Sequence, residues 1–312
     1  MNTNSNVYTV IYTAIIVIVV AAVLALVSQS LKGRQEANEK ADTISQMLTA
    51  AGFGTKAEFG KMGNAAVLDK YASEIEEAFT VGIDGEKKAD LPEGKVFSAK
   101  ELKALNYIIK DPEKAAEAAI PVFKFKGGLT VVPIYGAGLW GPVWGYIAFD
   151  ESRKISGAYF DHESETAGLG ARIKDDPEFQ ARFAGKEADF NAPERSAVFE
   201  IVKGGVTGEA GAVDNKIDAI TGATMTSKGL DDAIDTWLYA YRAYFNALPA
   251  SACDIQGESC CCSGCKNSCC ATCPCEKCCT SEDCTVSCGP DCCSEQCGCC
   301  SDNCCETKSE EE

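Results

Sequence analysis

Residues Asp218-Ala-Ile-Thr-Gly-Ala-Thr224 set a hydroxyl nucleophile behind a Gly-Ala turn and just ahead of an apolar periodicity. Leu230, Ile234, Trp237, Leu238, Tyr241, Phe245 and Leu248 recur at three- and four-residue spacing, which makes one face of a helix. Thr226 or Ser227 would cap that helix. Asp231 and Asp232 would fall in its first turn, where carboxylates suit the positive end of the dipole. A helix N-terminus offers backbone N–H groups to a phosphate, and Gly222 and Ala223 let the backbone approach closely. Thr224 is therefore a candidate for covalent attachment of a phosphate-bearing cofactor. The plainer reading of the same letters is a glycine turn ahead of a capped helix.

Two other stretches carry side chains able to do chemistry, His162-Glu-Ser-Glu-Thr-Ala-Gly-Leu-Gly170 and Gly138-Leu-Trp-Gly-Pro-Val-Trp-Gly-Tyr146. His162 is the sole histidine, which excludes a multi-histidine metal site. Any triad would have to run through it, yet no nucleophile-elbow motif accompanies it, so hydrolase chemistry is not indicated and no catalytic residue is assigned. Trp140 and Trp144 are four apart, the spacing of one strand face. Each offers a broad aromatic plane that can stack on a ligand ring or fill a core.

The three stretches together resemble the FMN-binding domain family. Asp218, Thr221, Gly222, Ala223 and Thr224 fill every fixed place of the flavinylation motif Asp-x-x-(Ser/Thr)-Gly-Ala-(Thr/Ser), and Thr226 and Ser227 continue it. The 162–170 stretch is similar to His-x-x-Glu-Thr-Pro-Gly-Leu-Gly, with Ala167 in the place of Pro, and 138–146 is similar to the family's Gly-Leu-Trp strand. The Ala167 change frees φ in the loop but removes no ligand-contacting group. Over roughly residues 1 to 250 the chain resembles the C-subunit family of sodium-translocating NADH:quinone reductases. The G subunits of Rnf-type complexes are shorter relatives.

The resemblance implies that a magnesium-dependent flavin transferase joins FMN through its phosphate to Thr224. The flavin would then pass electrons from an iron-sulfur centre towards a flavin of a membrane subunit and quinone. Asp218 reads either as a group that the transferase recognises or as a turn-capping Asp. Glu165, Thr166 and Leu169, with Gly168 and Gly170, are expected to form a loop facing the flavin. Leu169 reads as a side chain on the flavin plane or as a buried turn leucine, and Trp140 as a flavin contact or a core residue.

The elements that must position these residues are legible in outline. Residues 7–27 carry no charge over about 21 positions, enough for one membrane-spanning helix. The first six residues lack Lys and Arg, unlike a cleaved signal peptide. Lys32, Arg34 and Lys40 follow, which the positive-inside rule would set in the cytoplasm, whereas the resemblance implies an inner-membrane anchor with a periplasmic domain. Ala37, Ala41, Ile44, Met47, Leu48 and Ala51 keep a helical period up to Gly52, so the helix continues past the membrane. Residues 53–115 are charged and read as short helices and loops.

Strands are expected at Leu129-Thr-Val-Val, Tyr146-Ile-Ala-Phe, Ile155-Ser-Gly-Ala-Tyr-Phe and Arg195-Ser-Ala-Val-Phe-Glu-Ile-Val, with a short helix from Asp176-Pro177 to Phe183. The fold class is thus α+β, a single N-terminal transmembrane helix and a mostly antiparallel-sheet domain, ending in a cysteine-rich irregular tail. The divisions are an anchor over 1–31, a membrane-proximal region over 32–128, the FMN-binding domain over 129–250 and the tail over 251–312.

All 20 cysteines lie between Cys253 and Cys305, among almost no large apolar residues. Such a segment builds no hydrophobic core, so it is expected to be held by disulfides or to be partly disordered, with thiolate-bound Zn or Cu(I) and an iron-sulfur site as the alternatives. It also holds twelve acidic against three basic residues over 251–312, within a chain of net charge -17, which argues against nucleic acid as a partner. The expected partners are the other subunits of a membrane NADH:quinone reductase, the transferase and the inner membrane. The alternatives are a flavoprotein of an Rnf-type or other periplasmic route, and a thiol-rich metal-binding surface protein acting through its tail.

Overall fold

The computed structural model describes residues 6–204, 206 and 215–248. The cysteine-rich tail, with its disulfide, Zn, Cu(I) and iron-sulfur readings, lies outside the described residues. The chain is α+β. Helix α1 (Asn6–Ala50) is long and apolar enough in its first half to cross a membrane, with a mean hydropathy of 3.1 over its most apolar window. It does not stop at the end of that window. Ala41, Ile44, Met47 and Leu48 turn into the protein core, and the helix ends where Gly52 takes φ +78 and Phe53 N–H reaches back to Leu48 C=O at 2.9 Å.

Helices α2 (Lys56–Met62) and α3 (Asn64–Glu74) fold back along α1, α2 opening on a capping box between Thr55 and Glu58. Strands β1 (Ile75–Val81) and β2 (Lys87–Asp90) follow, then α4 (Ala99–Lys110). The long strands are β3 (Ile120–Phe125), β4 (Leu129–Ala137), β5 (Pro142–Phe149) and β6 (Ile155–His162). All six form one antiparallel sheet in the order β2-β1-β3-β4-β5-β6. Helices α5 (Arg172–Asp175) and α6 (Pro177–Ala181) lead to β7 (Glu200–Val202) and β8 (Lys216–Asp218), a separate parallel pair, and α7 (Thr224–Ala247) closes the domain.

The sheet is covered on both faces. Phe123, Phe125, Val131, Tyr146, Ala148 and Tyr159 pack with Ile44, Met47 and Leu48 of α1 and with Val67 and Tyr71 of α3. The alternate residues meet α7, where the Phe149 ring packs tilted against Phe245 at 4.7 Å and Trp237 donates its indole N–H to Tyr135 C=O at 2.9 Å and to Asn106 Oδ1 at 3.1 Å. Double coverage explains why β4 reads as an almost unbroken apolar run instead of an alternating one.

Two expectations are corrected. The 53–115 segment is not only helices and loops, since β1 and β2 lie in it, and with β3 they extend the sheet across the 128/129 division. Their signal is masked because β2 is a fully exposed edge strand of Lys87-Lys88-Ala-Asp, where charge is what an edge requires. The expected strand from Arg195 is shorter: Arg195–Ala197 is a 3-10 turn, and only Glu200–Val202 pairs.

Helix α7 crosses β4 at glycines. A methyl on Gly229 would lie 2.2 Å from Ala137 C=O, and one on Gly136 would lie 2.5 Å from the Ala233 side chain. Helix propensity alone would make Gly229→Ala stabilising by about 1 kcal/mol. The collision with backbone reverses that sign, and a net loss of about 1–3 kcal/mol is expected from overpacking. Equilibrium unfolding of the full-length protein checks this, and an unchanged or raised midpoint contradicts the close crossing.

Candidate functional site

The 218–224 segment leaves β8 as a tight turn. Ala219 N–H bonds Val202 C=O at 2.7 Å, and Ala223 N–H returns to Ile220 C=O at 3.0 Å. Gly222, at φ +83, is in the left-handed region that glycine enters without a side-chain clash. Helix α7 then starts at Thr224 itself, one turn ahead of expectation. Thr226 and Ser227 are therefore inside the helix and buried instead of capping it, and Asp231 and Asp232 lie beyond its first turn. Ser227 reaches back, its Oγ accepting from Ile220 N–H at 3.2 Å, which ties the turn to the helix.

Thr221, Gly222 and Thr224 are exposed, while Ala223 is buried beneath them. The Thr224 hydroxyl thus stands in solvent at the first helical residue, where the opening N–H groups have no acceptor within the helix. Leu169 comes from the opposing loop, and a methyl on Gly222 would be 3.3 Å from its Cδ2. That loop is a turn closed on Thr166, whose C=O accepts from Leu169 N–H at 3.1 Å and Ala171 N–H at 3.0 Å, with Gly168 at φ +75. Thr166 is exposed, and Leu169 is 45% exposed, so it is not a buried turn leucine.

Glu165 joins these pieces from beneath. Its carboxylate is 7% exposed, accepting from Trp140 N–H at 2.9 Å on one oxygen and from Thr226 Oγ1–H at 2.7 Å on the other. Its own N–H donates to His162 Nδ1 at 3.1 Å. Gly170 and Gly138 leave room for the carboxylate, because a methyl on either would be 2.4 Å from one of its oxygens. Trp140 is not on a strand with Trp144: it lies in the β4–β5 turn and is 67% exposed, whereas Trp144 lies on β5 and its indole N–H reaches Gln46 of α1. The two-residue alternation fails there because the turn falls between them.

Glu165, Thr166, Leu169, Trp140 and the 221–224 turn therefore meet at one place. Asp218 stands at the strand end beside it, its Oδ1 accepting from Val206 N–H at 3.0 Å and its C=O from Arg182 at 3.0 Å. Two residues that sequence reasoning did not select complete the rim, Leu139 at 50% and Met225 at 59% exposed. Their only sequence signal is adjacency to Trp140 and Thr224. The resulting surface, an exposed hydroxyl at a helix N-terminus ringed by four exposed apolar side chains, fits a ligand with a phosphate at one end and a flat apolar ring at the other. Among the described residues no group of three or more His, Cys, Asp or Glu is placed to hold a metal.

The site also has a direction. Gly157 of β6 lies against Ala50 of α1 and Asp161 against Gln46, so β6 runs antiparallel to the helix. Continuing past His162 into the Glu165 loop therefore leads back towards the apolar half of α1. The β4–β5 turn and the start of α7 share that end of the sheet.

Behind the site, Asp231 and Asp235 on one face of α7 accept from Ile201 N–H at 2.6 Å and Phe199 N–H at 3.1 Å, fixing the β7 segment, which pairs with the β8 strand that leads into the turn. Burial raises the Asp235 carboxyl to about 7 and that of Asp231 to about 6, with the backbone bonds opposing the shift and the neighbouring carboxylates adding to it.

Removing the Glu165 carboxylate takes the acceptor from the buried Thr226 hydroxyl and from the part-buried Trp140 N–H. Glu165→Ala is expected to lower stability by about 1–3 kcal/mol and to shift Trp140 emission, both readable in a fluorescence-monitored melt. An unchanged melt and spectrum would contradict the tie. For Asp235 the folded value lies above the ordinary 3.8, so the folded state holds the extra proton and the group's contribution falls as pH rises from about 4 to about 7. Asp235→Asn is expected to match wild type near pH 4 and to exceed it in thermal midpoint by a margin that grows up to pH 8. A constant margin would show that the carboxyl does not titrate in that window.

Known proteins are similar to this chain in sequence and fold. Residues 138–239, which hold the rim, the Glu165 loop and the 218–224 turn, match the FMN-binding domain. The C subunit of the Na(+)-translocating NADH-quinone reductase of Pseudomonas aeruginosa is 27% identical over 249 residues, 76% of this chain and 93% of that protein. The Chlamydia trachomatis counterpart is 35% identical over 126 residues, 36% of this chain and 39% of its own. The crystal structure of the C subunit from Parabacteroides distasonis superposes with a TM-score of 0.55 at 29% identity, covering 70% of this chain and 98% of that one. Shewanella oneidensis NqrC does so at 0.52 and 26%, covering 69% and 100%. With the site geometry and these likenesses in agreement, residues 138–239 match the FMN-binding domain and the chain is similar, beyond that domain, to the C subunits of Na(+)-translocating NADH-quinone reductases.

Proposed function

We propose that this protein is the flavin-carrying electron-transfer subunit of a Na(+)-translocating NADH-quinone reductase, with FMN held as a phosphoester on Thr224 Oγ1. The observation that carries this reading is the placement of Thr224: exposed, first in α7, behind the φ +83 turn at Gly222 and beside an apolar rim. FMN, when bound, supplies the reversible electron chemistry that no side chain of the site provides. The chain's own residues bind and orient. The first-turn N–H groups of α7 would hold the phosphate, Leu169 and Trp140 would offer apolar surface to the ring, and Glu165 holds both supporting loops in register.

A threonine hydroxyl is a weak nucleophile at neutral pH, and the exposed Thr224 is open to a separate flavin transferase. Thr221 and Asp218 belong to the stretch that such an enzyme reads. The apolar half of α1 serves as a single-pass inner-membrane anchor with the domain on the periplasmic side. The direction of the site, back towards that half, suits electron entry from an iron-sulfur centre and exit to a membrane-subunit flavin on the way to quinone. Sodium coupling would then reside in the membrane subunits, since the apolar run at 7–27 has no ionisable carboxylate.

A denaturing gel of native membranes tests the attachment. A fluorescent wild-type band, a dark Thr224→Ala band and an intact-mass difference of one FMN less one water are expected. A dark wild type, in cells whose transferase labels another target, would overturn the reading.

A further inference from the structure

The α1–domain interface contains a buried polar joint within its apolar contact, besides the more exposed bonds from Lys56 to Asp42 and Ser45 and from Asn64 to Asn38. Gln46 is 3% exposed and sits among Ile44, Met47, Leu48 and Ala50. Its amide donates to Asp42 Oδ2 at 2.8 Å and to Asp161 Oδ2 at 3.1 Å, and accepts from Trp144 Nε1 at 3.2 Å. Asp161 is 4% exposed, and it also accepts from His162 N–H at 2.7 Å and pairs with Lys174 at 2.8 Å. Asp42 is held from the other side by Lys56 at 2.5 Å. One glutamine thus links the membrane helix to β5 and β6, and Asp161 passes the link to His162, the acceptor for the Glu165 loop.

Apolar contact has no preferred direction, so the Ile44–Leu48 face alone would let α1 rotate or slide against the sheet at small cost. The joint does not permit this. A slip of one helical turn, about 5.4 Å, would strip partners from a buried amide, a buried carboxylate and an indole N–H, each of which is costly to leave unmade. About 19 residues separate Val27 from Gln46, roughly 29 Å of helix, and the site lies on the near side of that level. Rotation at the joint therefore turns the Thr224 end relative to the membrane.

We infer that Gln46 is a positioning residue for electron transfer: with Asp161 and Trp144 it fixes the height and facing of the Thr224 site above the membrane, acting through α1 and not by touching the ligand. This rests on the proposed flavin role of Thr224, but its geometric half does not need it.

The test uses full-length protein in lipid nanodiscs, with a fluorescent amino acid encoded at Met225 and an acceptor dye on the lipid headgroups. Energy transfer is expected to change in Gln46→Leu while the unfolding transition stays cooperative; unchanged transfer would overturn the joint. If Gln46→Leu does not fold, Lys174→Met and Trp144→Phe, which each remove one partner, carry the measurement: a smaller change in both supports the joint, and none in either rejects it. In flavin-loaded membranes, NADH-driven reduction of this flavin should fall by roughly tenfold to a hundredfold, the scale on which misplacement of a positioned pair is felt. Dithionite reduction and the fluorescent gel band should stay as in wild type. Equal NADH-driven rates would overturn the inference, whereas a dark wild-type gel would reject only the flavin assignment and leave the energy-transfer result standing.

Discussion

A carboxylate buried to 7% exposure needs partners, and Glu165 finds them on two segments far apart in sequence, the Trp140 N–H and the Thr226 hydroxyl. Because unmet buried charge is expensive, the β4–β5 turn, the 163–170 loop and the first turn of α7 are each held where this one group can be satisfied. The arrangement is self-limiting in the other direction too. Gly138 and Gly170 are the residues that leave space for the two carboxylate oxygens, so the loop glycines and the glutamate are parts of one constraint.

The sheet supplies the platform for that tie. Its four central strands are covered by α1 and α3 on one face and α7 on the other, which leaves the exposed β2 edge and the strand ends to carry solvent-facing groups. The ends of β4 and β6 that carry the rim and the Glu165 loop lie towards the apolar half of α1. An exposed apolar rim on a protein that carries a membrane-length helix is thereby placed on the side where membrane-embedded partners of the proposed complex would be met. The carboxyls of Asp231 and Asp235 hold β7, the strand paired with the one that feeds the 218–224 turn, and they connect the back of α7 to the front of the site.

Some of this was legible in the chain before any coordinates. The apolar face of α7, the continuation of α1 to Gly52, the Pro177 helix and the three strands at 129, 146 and 155 follow from periods that local residues carry by themselves. The segments that read poorly are those whose residues answer to solvent or to distant partners. Charges on the β1–β2 edge concealed a pair of strands, a 3-10 turn at Arg195 shortened another, and Thr226 and Ser227, which have the composition of caps, are buried hydrogen-bonding residues instead.

The sequence by itself determined which groups are available: a hydroxyl after Gly-Ala, a glutamate and a leucine in one glycine-bounded loop, a tryptophan in another, and a membrane-length apolar run. These are fixed by identity and short spacing, and they sufficed to point to a flavin-bearing family. Only the tertiary structure decided that these loops converge, that Leu169 and Trp140 are exposed and not core, and that Thr224 opens the helix. It alone set the facing of the site relative to α1, through Gln46 and Asp161, which are 115 residues apart. Such pairings depend on which face of a sheet receives which helix, and no local pattern encodes that, because the partners are chosen by the packing of the whole core.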